Sequence, residues 1–254
     1  MRSTFAVLER RVVDYEVIVV NDGSTDESGA VLEQLRQEYS PFLRVVTHEW
    51  NQGYGGALRT GFASATKEWV FYTDGDGQYD PAELEQLLEH AEPNVGLVNG
   101  YKVARRDPWH RVGIGWLYNH FARGLFGITL RDIDCDFRLI RRSLISDLNL
   151  RSTTGTICIE LVRGLERSGM AIREIPVNHH PRLHGRSQFF RTKSLLLTFF
   201  QLCRLFCSVL SHGASLGSWL TNRDAHGLKT QSQHVRALIQ QLTTCDHIEE
   251  ARKQ

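Results

Sequence analysis

Tyr15–Val20 (YEVIVV) is a run, apolar but for Glu16, that stops in a dense polar turn, Asn21-Asp22-Gly23-Ser24-Thr25-Asp26. A short, β-branched run without alternation reads as a strand buried on both faces. Such strands belong to parallel sheets, and parallel neighbours must be joined by crossover segments, usually helices. The rest of the chain supplies that rhythm. A helix is expected from about Glu27 to Tyr39, a strand at Leu43–Val46, and a glycine-rich turn (Asn51–Ala57) opening a helix through Ala65. A strand at Glu68–Thr73, a helix from Pro81 to His90 and a strand at Val95–Asn99 follow. Further on, Lys102–Arg111 reads as a basic loop, Val112–Phe126 and Thr156–Ser168 as helices, and Ile172–Val177 as a strand. The pattern predicts an α/β domain, a mainly parallel sheet flanked by helices. Ligands of such sheets bind beyond the carboxyl ends of the strands. Three polar clusters lie there: Asn21–Asp26, Asn51–Gly56 and Asp74–Gly77.

Composition narrows the partners. Thirty Lys and Arg balance 29 Asp and Glu, a net charge of +1, which gives no global reason to expect nucleic-acid binding. Five cysteines without a paired CxxC disfavour a disulfide framework and suit a reducing cytoplasm. The N-terminal residues are too charged for a signal peptide, and no clean apolar stretch reaches the length of a transmembrane helix.

Asp74 and Asp76 directly follow an apolar strand. Residues two apart share a side, so both carboxylates could approach one hard cation, Mg²⁺ or Mn²⁺, in a turn that Gly75 and Gly77 permit. The plain alternative is a solvated acidic loop. Asp22 could accept hydrogen bonds from a base or ribose, with Ser24, Thr25 or Asp26 capping the next helix. The Asn51–Gly56 turn, Asn51 and Gly53 included, could bring backbone close to a ligand, or it could be an ordinary helix start. Arg138 and Arg182 are candidate phosphate clamps, set against the common case of a surface charge.

No Asp or Glu occurs from Ile175 to Asn222, a span that holds Arg182, Arg186, Arg191, Lys193 and Arg204. Inside it Ser194–Leu210 is strongly apolar but broken by Gln201 and Arg204. This suits a helix lying in a membrane interface beside a polybasic patch, or else a buried core helix with basic flanks.

In order along the chain, YEVIVVNDGSTD, NQGYGGALRTG, WVFYTDGDGQYDP, LRDIDCDFRLIRR, the Glu160-Leu161 helix and EIPVNHHPRLHGRS resemble the family 2 glycosyltransferases of GT-A fold. The resemblance is to the group acting on polyprenyl or dolichyl phosphates. It implies a Rossmann-like sheet, a nucleotide-sugar donor, a metal-dependent inverting transfer and a lipid phosphate acceptor at the inner, cytoplasmic face of a membrane. By the same resemblance Asp22 meets the nucleotide and Asp74 and Asp76 hold the metal. Asp132 and Arg138 belong to the acceptor loop, and Arg182 and Ser187 to a later acceptor-phosphate motif. Asp76, Asp132 and Arg138 are the residues expected to carry the chemistry. A hydroxyl acceptor would need Asp132 or Asp134 as base. Asp136 departs from the small residue usual at its place.

Relatives of this kind begin with a strand and a Pro-x-Asn-Glu-like turn, whereas this chain opens in the helix that follows, so the first strand is expected to be missing. The expected organisation is a catalytic domain over 1–193, truncated at its start, an interfacial helix over 194–212 and a polar tail over 213–254. Two other readings stand beside it. One is a catalytically impaired glycosyltransferase-like binding domain. The other is a haloacid-dehalogenase-type phosphatase, which also places a DxDG after a strand, although Gln78 and the mid-chain position of the motif count against it.

Overall fold

The computed structural model describes residues 1–12, 14–105, 109–182 and 192–212. The chain divides at Leu205 into two units, and the fold described below belongs to the first. Its order is α1 (Arg2–Arg11), β1 (Val17–Asn21), α2 (Ser28–Glu38), β2 (Leu43–Thr47), α3 (Tyr54–Ser64) and β3 (Trp69–Thr73). A short 3-10 turn (Pro81–Glu83) leads into α4 (Leu84–Glu89) and β4 (Val95–Arg105). Then come α5 (Trp109–Phe126), β5 (Phe137–Arg141), α6 (Arg142–Ser146), α7 (Thr156–Glu166), β6 (Ala171–His179) and α8 (Thr192–His212), whose last turns pass into the second unit.

The strands form two sets among the described residues. β1 and β2 pair in parallel, and a four-stranded sheet has the order β3-β5-β4-β6. β4 and β6 are parallel, while β5 runs antiparallel between β3 and β4. The α/β architecture expected from the strand and helix rhythm is therefore present, with one inserted antiparallel strand. Among the described residues no ladder joins β1 to β3. Both flanking strands keep apolar residues half-exposed: Val17–Val20 on one side, Trp69–Phe71 on the other. Helices bridge the break. Phe62 of α3 meets Tyr72 of β3 edge-on at 5.5 Å, and a Cβ on Gly61 would lie 3.7 Å from Val20. On α1, Phe5 stacks on Tyr39 at 4.0 Å, while Val7 joins the core around Leu84 and Leu87.

That core is built on β4 and β5. Val95, Val98, Phe137 and Leu139 are buried together with Cys135 and Val177. Each such side chain contributes about 1.5–3 kcal/mol through burial. One local expectation is corrected here. Lys102–Arg105 is not loop but the end of β4, because β6 is long enough to pair it, Lys102 with Val177 and Arg105 with His179.

Candidate functional site

Two of the three polar clusters form one structure. After β1, Asn21 Oδ1 accepts from Ser24 N at 3.0 Å and closes the turn. Gly23 has φ +69°, and a Cβ there would lie 2.8 Å from Asn51 N, so this turn is pressed against the second cluster. Asp22 Oδ1 accepts from Gln52 N at 2.8 Å, and the Asn51 side chain donates to Asp22 O at 3.2 Å. Asn51 Oδ1 in turn accepts from Gly53 N at 3.1 Å. His48, buried at the end of β2, lies with Nδ1 2.6 Å from Asp22 Oδ1 and Nε2 2.8 Å from Thr60 Oγ1. The carboxylate is thus oriented by a histidine whose other nitrogen is fixed by α3. His48 went unnoticed in the sequence because nothing marks a lone histidine between a strand and a turn. A groove of about 640 Å³ opens beside Asp22, lined by Val20, Ser24, Val31 and Leu32 among others.

The glycines of the second cluster serve a different contact from the one expected. A Cβ on Gly53, at φ +80°, would lie 2.6 Å from Thr153 O, and one on Gly55 would lie 2.1 Å from Ser152 O. Gly55 N donates to Thr153 O at 3.0 Å. The close approach that these residues permit is to the loop before α7, whose Ser152 is held by Glu160 through its N–H at 3.0 Å and its hydroxyl at 2.7 Å.

The third cluster follows β3. Asp76 Oδ1 accepts from Gln78 N at 3.0 Å, and Asp76 Oδ2 accepts from Arg182 at 2.6 Å. Burial, then the neighbouring carboxylates of Asp136 and Asp76, hold Asp74 well above the usual carboxylate range. Asp136 reaches this site from the segment before β5, and Cys158 Sγ donates to its Oδ1 at 3.5 Å. Among the described residues no cluster of three or more metal-binding side chains exists. The donor chemistry nevertheless fits a hard divalent cation. Asp74 and Asp76 offer oxygen ligands, and a cation would relieve the carboxylate crowding that raises Asp74. Two carboxylates suffice for an ion completed by water and phosphate oxygens. Tyr54 places a buried hydroxyl, without a hydrogen-bond partner among the described residues, near this group, with Asp136 and Asp74 in its field.

The predicted acceptor residues separate. Asp132 is buried, with Oδ2 accepting from Lys102 N at 3.2 Å and Oδ1 from Asp134 N at 3.1 Å. It holds the loop's shape, and Lys102 Nζ stands 3.7 Å from it. Asp134 is pushed up to about 6, chiefly by burial and against the pull of Lys102. Arg138 is the clearest correction. It lies on β5 with no exposure, donating to Asn99 Oδ1 at 2.6 Å and also to Tyr72 Oη and Ile133 O. All three nitrogens of the guanidinium are engaged inside the core, so this arginine does not face a phosphate. Arg182 is partly exposed beside Asp76 and remains available to an anion. Ser187 lies outside the described residues.

The chain is similar to known proteins in sequence and in fold. The chain is 29% identical over 189 residues to an undecaprenyl-phosphate 4-deoxy-4-formamido-L-arabinose transferase of Enterobacter sp. (strain 638), covering 74% of this chain and 57% of that protein. It is 30% identical over 200 residues to the enzyme so named in Pseudomonas fluorescens (strain Pf0-1), covering 78% and 58%. The chain thus spans less than two thirds of the length of these relatives. Glucosyl-3-phosphoglycerate synthase of Mycobacterium tuberculosis, solved with phosphoglyceric acid, shares the fold at TM-score 0.61 and 19% identity, over 84% of this chain and 75% of that one. Its complex with Mn²⁺, uridine diphosphate and glucosyl-3-phosphoglycerate gives TM-score 0.59 at 19% identity, over 84% and 77% of the two chains. The family model described as glycosyl transferase family 2 matches residues 2–148, more than half of the chain, and the chain belongs to that family.

Proposed function

We propose that this chain is the catalytic domain of an inverting glycosyltransferase that moves a sugar from a nucleotide-sugar donor to a polyprenyl phosphate at a membrane surface. The observation that carries the reading is the pairing of two strand-end sites, the Asp22 turn and the Asp74–Asp76 turn, the latter with Arg182 beside it. The names of the relatives supply the acceptor class, and the bound states of the structural neighbours supply the donor class. The haloacid-dehalogenase reading loses its footing with the family match.

In this reading Asp22, held by His48, receives the donor's nucleoside. Asp74 and Asp76 would hold Mg²⁺ or Mn²⁺, which when bound neutralises charge on the leaving diphosphate. Arg182 places the acceptor phosphate, since a guanidinium fork can hold Asp76 and a phosphate together. A phosphate monoester with its second pKa about 6 is already largely ionised near neutrality and attacks without a strong base. Asp132 and Lys102 then serve to hold the acceptor loop rather than to move a proton.

The membrane face is assigned to α8 and α5. No described helix is long and apolar enough to cross a membrane. Leu196, Leu197, Phe199 and Phe200 of α8 and Leu117 and Phe121 of α5 are nevertheless exposed, at 49–65%. Neither helix contains an acidic residue, which fits an anionic lipid surface at the cytoplasmic leaflet. The break between β1 and β3 is read as the berth of one further parallel strand. The deciding experiment is calorimetric titration of uridine diphosphate in Mn²⁺, followed by a screen of nucleotide sugars against a polyprenyl phosphate. Metal-dependent binding that Asp76→Ala abolishes is expected. Binding that ignores both the metal and Asp76, or product formed without metal, would overturn the assignment.

A further inference from the structure

Gln201 interrupts the most apolar stretch of the chain, and its surroundings give that interruption a purpose. On α8, Thr198, Gln201 and Leu202 turn toward the protein, whereas Leu196, Phe199, Phe200 and Cys203 turn outward. The Gln201 amide is spent entirely on the loop before α7. Its Oε1 accepts from Thr153 N at 3.1 Å, Thr154 N at 3.2 Å and Thr154 Oγ1 at 2.9 Å, and its Nε2 donates to Thr153 Oγ1 at 2.7 Å. One side chain thereby satisfies two consecutive backbone N–H groups and both threonine hydroxyls.

The loop it grips is the seat of the glycine turn. Thr153 O receives Gly55 N at 3.0 Å, and Ser152 O receives Arg59 Nη1 at 2.5 Å. The Gly53 and Gly55 contacts leave no room for even a methyl group between turn and loop. From that turn, Gln52 N and the Asn51 side chain hold Asp22. A path of hydrogen bonds joined through the Gln52–Gly55 backbone therefore runs from the outward-facing helix to the carboxylate beside the groove: Gln201, Thr153, Gly55, then the Asn51–Gly53 turn and Asp22.

We propose that Gln201 is a positioning residue through which seating of α8 on an anionic membrane tightens the glycine turn that holds Asp22. The inference rests on the membrane-facing reading of α8 given above. The element with two arrangements is α8, docked or loosened on loop 152–154. Lipid contact with Phe199 and Phe200 favours one arrangement by fixing the helix, and Gln201 passes that preference to the turn. By linkage, a site ordered by the membrane binds its ligand more tightly there, and ligand strengthens membrane binding by the same factor.

The test measures hydrogen exchange of the Gly55, Thr153 and Thr154 amides in the full chain. Phosphatidylcholine vesicles are compared with vesicles that also contain phosphatidylglycerol, and sedimentation is followed in parallel. For the wild type, anionic vesicles are expected to sediment the protein and slow these amides about tenfold, the scale of one or two hydrogen bonds. Gln201→Met, equal in length, should still sediment but show no slowing. Gln201→Glu, which keeps the acceptor oxygens for the two N–H groups, should recover part of it. Core amides at Leu97 and Val98 report that each variant is folded. The coupling is overturned if the wild type sediments with unchanged exchange, or if Gln201→Met is slowed as the wild type is. A wild type that does not sediment with anionic vesicles overturns the membrane reading itself, and the coupling with it.

Discussion

Replacing Arg138 by methionine separates a structural arginine from a phosphate-binding one. Its guanidinium is unexposed on β5, donating to Asn99, Tyr72 and Ile133. Methionine fills much of the stem's volume but leaves an amide oxygen, a phenol and a backbone carbonyl without their donor. Each unsatisfied buried group costs about 1–3 kcal/mol, and breaking a buried charged network typically costs about 3–5 kcal/mol. At roughly 2–4 °C per kcal/mol for a domain of this size, the melting temperature should fall by about 6–20 °C. Lysine would not rescue it, because one ammonium cannot reproduce the fork that meets three partners in different directions. The assay is scanning calorimetry of wild type, Arg138→Met and Arg138→Lys, with acceptor kinetics on whatever remains folded. If Arg138→Met melts within a degree or two of wild type while KM for the acceptor rises selectively, Arg138 is a phosphate ligand and its placement in the core is refuted.

Three further outcomes follow from the same geometry. Gly55→Ala should cost about 1–3 kcal/mol by overpacking, since its Cβ would meet Ser152 O at 2.1 Å. Gly61→Ala, where the nearest atom is a Val20 methyl at 3.7 Å, should be neutral or up to about 1 kcal/mol more stable by helix propensity; urea denaturation ranks the two. His48→Ala should weaken uridine diphosphate binding about tenfold, the scale of one hydrogen bond to a charged group, while His48→Asn keeps a donor toward Asp22 and retains part of the affinity; equal affinity in all three, by calorimetry, would remove His48 from the site. Burial raises Asp134 from 3.8 to about 6, so the folded state holds its proton where the unfolded chain has lost it. Stability from this group is therefore present at low pH and lost as pH rises from about 4 to about 6. Asp134→Asn should abolish that decline in a pH series of melting temperatures.

What the sequence made legible was local. The end of β1 could be read because an apolar run and an Asx-type turn are encoded within ten residues, and Asp74–Gly77 because a strand and a glycine turn adjoin. The carboxylates at those ends stand out as candidates because ligands of open α/β sheets bind there by topology. Arg138 was misread for the opposite reason. An arginine is ordinarily exposed, and its burial depends on Tyr72, sixty-six positions earlier, and Asn99, thirty-nine earlier. The glycine turn leaves a ligand contact and an ordinary helix start equally open in the sequence, because its nearest neighbour is a backbone about a hundred residues away along the chain. Gln201 looked like a flaw in an apolar helix because its four partners lie on a loop that no periodicity announces.

The broken ladder explains why those distant contacts carry so much of the site. Asp22 follows β1 of the β1–β2 pair and Asp74 follows β3 of the β3-β5-β4-β6 sheet, and among the described residues no strand pairing joins the two sets. In a continuous sheet, backbone hydrogen bonds would set the distance between the two carboxylates. Here it is set by what spans the break: Phe62 on Tyr72, Gly61 beside Val20, the α1 contacts of Phe5 and Val7, and the seat of Gly53 and Gly55 on Ser152 and Thr153. Side-chain packing yields more readily than a ladder. The spacing of Asp22 and Asp74 is therefore the property most exposed to changes at α3, at loop 152–154 and at the helix that grips it.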